Sequence, residues 1–242
     1  MTTKTKRKPG RRRKGEKQLN KDDIIQAALM IIDRDGIESF SMRNLANELG
    51  VYPTALYWHI ENRNALLGEI VSTALTGLLP DDFEDDWQRG IINLCRNYRE
   101  RIKAHPSIAP LIGSQLVSNT SLDFPMIERI LASLEGAGFH GASLRAAYNT
   151  VVTAMVGYTT QEFALVPSDS ADRWAESMQE EIHNIDKDRF PTIARNIPIL
   201  ENQSFILRWE NGTTSQLDDG FELFVGSIVA GLAKSVEDKA PK

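Results

Sequence analysis

The chain has a single cysteine, Cys95, in 242 residues. One thiol cannot close an internal disulfide, which excludes the cross-linked secreted scaffolds and fits a reducing, cytoplasmic setting. The sequons at Asn119, Asn202 and Asn211 then read as chance matches. No apolar run approaches the roughly 18 residues that a membrane helix requires, so no span is expected. The basic N-terminus lacks the apolar segment and small-residue cleavage site of a secretory signal. Histidine is scarce as well: His59, His105, His140 and His183 lie far apart, with no H-E-x-x-H and no C-x-x-C. That removes the usual metal and catalytic constellations, and with them the case for an enzyme or a cofactor. A lone His105 ahead of Pro106 reads as a helix-end residue. The stretch "GAGFHG" (136–141) matches G-x-G-x-x-G, but the dinucleotide motif follows a strand, and here helical periodicity precedes it. Gly136 and Gly138 read instead as a helix end and its loop.

What is present is an ordinary globular composition, 41% hydrophobic and 25% charged, with charge unevenly placed. Residues 1–21 carry ten Lys/Arg against Glu16 alone, a net of +9 that leaves −14 on the remainder. A basic arm on an acidic body points to a polyanionic partner, nucleic acid before a membrane surface. Up to residue 19 the composition is too charged to bury a core, so the arm is expected to be disordered in isolation.

Beyond it, helix signals follow one another. Asn20 can cap a helix, with Asp23 three residues on, and Ile24, Ala27, Ala28, Ile31 and Ile32 recur at helical spacing until Gly36. Ser41 caps a second helix carrying Leu45, Ala46 and Leu49, stopped by Gly50. Pro53 suits the first turn of a third, where its missing N–H costs nothing. Asn62 caps a fourth that can continue to Leu79, before Pro80. The middle pair, joined by a glycine turn, has the helix-turn-helix pattern. Leu45, Leu49, Val51, Leu56 and Ile60 would bury its inner face. Tyr52, Thr54, Ala55, Tyr57 and His59 occupy the remaining circumference, which would meet a major groove.

Residues 24–67 resemble the DNA-binding domain of the TetR (tetracycline-repressor) family, above all in "GIESFSMRNLANELGV", "LYWHI" and "ENRNALL". The resemblance implies that the third helix enters the major groove, with Tyr57 on the phosphate backbone and Arg63 where the family usually places a phosphate-binding lysine. It also puts Arg43, with Met42 beside it, at a position used for base or backbone contact, and His59 near another phosphate. Tyr52 departs from the family's small polar cap, and tyrosine caps poorly. Residues 22–70 hold three arginines against eight carboxylates, a net of −5, so the arm is the natural source of attraction to phosphate. "KPGRRRKG", with Arg11, Arg12 and Arg13, loosely resembles the hooks that lie in narrow A·T-rich minor grooves, without their Arg-Gly-Arg core.

From Asp81 onward the periodicity remains helical. One stripe is Trp87, Ile91, Leu94, Cys95, Tyr98 and Ile102, and a second is Ile127, Ile130, Leu131 and Leu134. A third runs from Leu144 through Ala147, Val151 and Met155 to Tyr158, and the last from Phe221 to Leu232. "SFILRW" could be a short strand, but residues 189–214 are expected to form an irregular connection. This region is similar to the ligand-binding and dimerisation domain of the tetracycline-repressor type. The similarity implies a four-helix bundle with a second subunit, built from helices near 142–165 and 217–236. It further implies an effector cavity between about 95 and 165, for which the candidates are Tyr98, Leu111, Ser114, Gln115, Ile127, Met155, Tyr158, Thr159, Glu162 and Phe163. The magnesium-binding histidine of the tetracycline repressor falls near Leu111, so metal–drug chemistry does not carry over and no metal is expected.

The sequence thus reads as an all-α protein with a basic arm (1–19), a helix-turn-helix unit (20–79) and a larger ligand-binding and dimerisation domain (80–242). The expected function is a homodimeric repressor, released from a palindromic DNA operator by a small organic effector. The alternative is an architectural DNA binder that uses the arm without effector control.

Overall fold

The computed structural model describes residues 19–79, 86–115, 123–166 and 171–237, and the side chains of 113–115 and 171–172 fall outside that description. Apart from Leu19, the arm also lies outside the described residues. Helices dominate, with no strand among the described residues.

α1 (Lys21–Asp35) begins where the Asn20 side chain accepts the Asp23 N–H at 2.8 Å and ends at Gly36, whose φ of 77° is unfavourable for other residues. α2 (Met42–Glu48) is capped by Ser41 at the Asn44 N–H. Gly50 (φ +65°) then reverses the chain, and the Val51 N–H donates to the Ala46 carbonyl. α3 is only Pro53–Leu56, with Pro53 at its start and no side-chain cap from Tyr52. Both the His59 and Ile60 N–H groups then donate to the Leu56 carbonyl, which closes the turn that follows. α4 (Arg63–Ala74) is capped by Asn62 at the Ala65 N–H. It stops short of the expected Leu79. The chain tightens after Ala74 and turns at Gly77 (φ +74°), whose carbonyl accepts from Arg101.

α5 (Trp87–Ala104) and a short 3-10 turn (Pro106–Ile108) lead into α6 (Ala109–Gln115). α7 (Phe124–Gly136) and α8 (Gly141–Glu162) follow, with Gly138 at φ +101° between them. α9 (Ala171–His183), α10 (Pro191–Leu200) and α11 (Asp218–Glu237) complete the described elements. α10 corrects the expected irregular connection. Pro191 opens that helix, and Pro198 lies near its end, so two residues that read as breakers are both accommodated. "SFILRW" forms bends, not a strand.

α5 packs against α7, α8 and α11, while α6 sits between α4 and α8. The buried positions join into one continuous core, from Ile24 and Leu45 through Leu66 and Ile70 to Ile91, Ile102, Val151 and Phe221. α5 also holds the two ends of the molecule together. Asn97 donates to the Leu78 carbonyl, Arg101 to that of Gly77, and His105 Nδ1 lies 2.8 Å from Asp33 of α1. Toward the other side, Arg96 pairs with Glu222 at 2.6 Å and Lys103 bonds Gln216 at 2.9 Å.

Candidate nucleic-acid interface and effector region

The helix-turn-helix unit separates an inner from an outer face by simple periodicity. Leu45, Ala46 and Leu56 are fully buried and Ile60 nearly so. Tyr52 and Trp58 are 83% and 88% exposed, and Tyr57 is half exposed at 51%, which for aromatics is far from their usual burial. Thr54 and His59 are exposed beside them, and Ala55 is half-buried. Burying Leu56 and Ile60 forces the intervening Tyr57, Trp58 and His59 outward, so one short stretch supplies both core and surface. Arg43 is exposed on α2. Arg63 is exposed at the start of α4, its guanidinium 5.7 Å from the Phe40 ring centroid. The third arginine of this unit, Arg34, is committed to Asp35 at 2.8 Å and Glu48 at 3.4 Å.

The expected DNA-facing residues therefore lie together at the surface, with one correction. Met42 is buried, packed into the core from the first turn of α2. It shares the inner spacing of Leu45 and Ala46, a signal already legible in the sequence. Trp58 is the converse, the most exposed aromatic of this face, and sequence reasoning passed over it. Arg11, Arg12 and Arg13 lie outside the described residues.

The expected effector residues split into two groups. Tyr98, Leu111, Met155 and Thr159 are buried where α5, α6 and α8 meet, and Ile127 is half-buried on α7. Burial pushes the Tyr98 phenol well above its ordinary pKa, partly offset by Thr159 beside its hydroxyl. The side chains of Ser114 and Gln115 lie outside the described residues. Tyr158, Glu162 and Phe163 turn instead toward α11 and the segment before it. Tyr158 donates to the Leu217 carbonyl at 2.9 Å and stands edge-on to Phe205 and Phe221. Its pKa is pushed up to about 12, first by burial and then by the Glu162 charge.

Glu162 is fully buried and fully committed. Arg99 grips it bidentately at 2.6 and 2.8 Å, and the Leu217 N–H adds a third bond at 3.0 Å. Arg99 also reaches Asp218 at 2.7 Å and lies 4.7 Å from the Phe221 ring centroid. Arg208, likewise buried, donates to the Gln161 carbonyl at the end of α8. Neither arginine was anticipated. For Arg99 a signal existed, a cation on the buried side of an otherwise apolar stripe, but its partner is 63 residues away.

Among the described residues no group of three or more His, Cys, Asp or Glu side chains is placed to hold a metal ion. No helix among them is long and apolar enough to cross a membrane.

Comparison with known proteins gives the same architecture a family. Residues 24–70 match the model of bacterial regulatory proteins of the tetR family, and residues 79–236 match the tetracyclin repressor-like C-terminal domain. An HTH-type transcriptional regulator of Saccharopolyspora erythraea is 28% identical, over 79% of this chain and 80% of its own. The class C tetracycline repressor protein of Escherichia coli is 25% identical, over 87% of this chain and 91% of its own. The crystal structure of BioQ with its double-stranded DNA operator superposes with a TM-score of 0.57 at 33% identity, covering 61% of this chain and 88% of that one. Two family models that together span almost all the described helices leave no other assignment: the chain belongs to the TetR family of DNA-binding transcriptional regulators, which are not enzymes.

Proposed function

We propose that the protein is a homodimeric repressor that reads a near-palindromic operator and is released by a small organic effector. The observation that carries the DNA half is the outward set of Tyr52, Thr54, Tyr57, Trp58 and His59 above a buried Leu56 and Ile60, with Arg43 and Arg63 exposed beside it. Tyr57 and Arg63 take phosphate, which positions the helix, while Thr54 and its neighbours meet base edges in the major groove. Residues 20–79 act as the reading unit and residues 80–242 as the regulatory one.

Two protomers are needed because one short helix covers only a few base pairs, and a two-fold pair reads half-sites one turn apart. The outer side of α8 presents small exposed residues, Ala146, Asn149, Thr153 and Gly157, and α11 presents Leu223, 72% exposed. Such faces suit helix-on-helix packing with a second copy. The effector enters the region of Tyr98, Met155 and Thr159 and favours a dimer whose reading units no longer match the half-site spacing.

Operator selection from random duplex DNA, followed by footprinting, tests the reading. A protected palindrome bound far more tightly than bulk DNA supports it. Sequence-independent protection, with binding lost uniformly as salt rises, would instead mark an architectural DNA binder.

A further inference from the structure

The end of α4 and the start of α7 leave a cleft of about 390 Å³ between them. That lies within the roughly 300–1,000 Å³ of small-molecule sites, and the function proposed above makes no use of it. Its apolar walls are Leu78, buried, Leu75, half-buried, and Pro125 of α7. Ser72, Thr76 and Asp123 supply the polar side chains.

The hydrogen-bonding capacity of this lining is one-sided. Thr76 Oγ1 already donates to the Ser72 carbonyl at 3.3 Å, so what it has left is acceptor capacity. Asp123 Oδ1 accepts the Met126 N–H at 3.0 Å as the cap of α7, and the remaining lone pairs of that carboxylate can only accept. Of the three side chains, Ser72 alone has a proton to give. Asp123 is also the one charged side chain among the described residues that line the cleft. The last turn of α4 adds backbone carbonyls and the negative end of its dipole. The start of α7 offers an anion little, because Asp123 already caps it. Arg101 of α5 is engaged with the Gly77 carbonyl at 3.1 Å and does not line the cleft.

We infer that this cleft is a second ligand site and that it takes a small organic amine. The ammonium group donates to Asp123 and Thr76, and a short apolar body lies against Leu75, Leu78 and Pro125. A carboxylate in the same place would meet Asp123 without a counter-ion. The site is separate from the region of Tyr98, Met155 and Thr159. One of its walls is the segment through which α5 holds the reading unit, since Asn97 donates to the Leu78 carbonyl and Arg101 to that of Gly77. An amine seated there bears on the end of α4 and so on residues 20–79. That consequence, unlike the site itself, rests on the DNA-reading role proposed above.

The test uses three probes that differ at the head alone: phenethylammonium, 2-phenylethanol and 3-phenylpropanoate. Each is titrated into the full chain carrying methyl-labelled leucine, and binding is read from the NMR shifts of Leu75 and Leu78. Phenethylammonium should bind with a Kd of about 1 mM and about tenfold more tightly than the alcohol, the worth of one charge-assisted hydrogen bond. The carboxylate should bind more weakly than either. Asp123→Asn removes the charge but keeps a side chain that caps helices well, so its melting temperature should hold. In that variant the amine should lose its advantage over the alcohol. Thr76→Val, which deletes the second acceptor, should weaken the amine about threefold. An amine bound no more tightly than the alcohol, or an advantage that survives Asp123→Asn, overturns the inference. So does tighter binding of the carboxylate, and so do shifts that are absent or confined to leucines elsewhere, such as Leu111. Operator affinity with and without the amine is measured separately by anisotropy. A change supports control through α4, and no change, with Asp123-dependent binding intact, counts against that control alone.

Discussion

Two side chains on the reading face should behave as phosphate anchors. Tyr57 and Arg63 are exposed and contribute little to the core, so Tyr57→Ala and Arg63→Ala should leave the melting temperature nearly unchanged. Each should weaken operator binding by about 1–2 kcal/mol, roughly tenfold, and by similar factors on operator variants, because phosphate carries no base identity. Gel-shift titrations on a small set of operator variants check this, and a loss confined to one base substitution would reassign the residue to base reading. Cys95 offers a second residue-scale test. Its folded pKa lies at about 12 against an ordinary 9.0, so folding favours the neutral thiol. The associated stability is complete below pH 9 and declines as pH rises from about 9 toward 12, because the unfolded thiolate forms first. Urea midpoints should therefore fall over that range, and fall less steeply in Cys95→Ala. At pH 8 a disulfide reagent such as dithiobis-nitrobenzoate should react only after unfolding.

The end of α8 depends on contacts from the segment that precedes α11. The Gly212 N–H donates to the Glu162 carbonyl at 2.8 Å, and Asn211 donates to that of Ala164 at 3.3 Å. With Arg208 on Gln161, these bonds satisfy carbonyls that a helix end leaves without partners, and the cation suits that end of the dipole. The approach is close enough that a Cβ on Gly212 would stand 2.5 Å from Glu162 Cγ and 2.8 Å from Phe163 Cε1. Gly212→Ala should therefore cost about 2 kcal/mol, or ~6 °C in melting temperature. Gly136→Ala, at the end of α7 with nothing within 4 Å, should be neutral or slightly stabilising. This contrast marks what could be read in advance. Asn20, Ser41 and Asn62 announce helix starts through bonds spanning three residues and Pro53 through its fixed φ, and all four stand where the sequence put them. The stripe on α5 was equally legible, since period alone decides it. Arg99–Glu162, Gly212–Glu162 and Arg208–Gln161 were not legible, because each joins positions dozens of residues apart that only the fold brings together. α10 was missed for another reason: its two prolines mimic the signature of a loop. Of the site, the outer face of α3 was readable because burying Leu56 and Ile60 fixes where Tyr57 and His59 point. The division of the effector residues between Tyr98 and Glu162 was not.

At the scale of the whole molecule, charge is divided between arm and body. Residues 22–70 carry net −5, while residues 1–21 carry +9. Deleting residues 1–17 removes nine cations. If three to five of them per protomer touch phosphate, log affinity against log salt should flatten by about 0.9 for each lost contact. Fluorescence anisotropy over a salt series measures the slope, and an unchanged slope would make the arm a bystander. Preference among operators should largely survive if, as proposed, it resides on α3. That helix, only Pro53–Leu56 and tied to the core through Leu56 and the following Ile60, has a further consequence. So short a helix has almost no cooperativity of its own and depends on its surroundings to stay wound. If duplex DNA supplies part of those surroundings, as proposed above, some local ordering would be completed only on contact. Association then buries apolar surface and lowers heat capacity together. The affinity for an operator would then follow temperature along a curve with a maximum, set in part by these four residues.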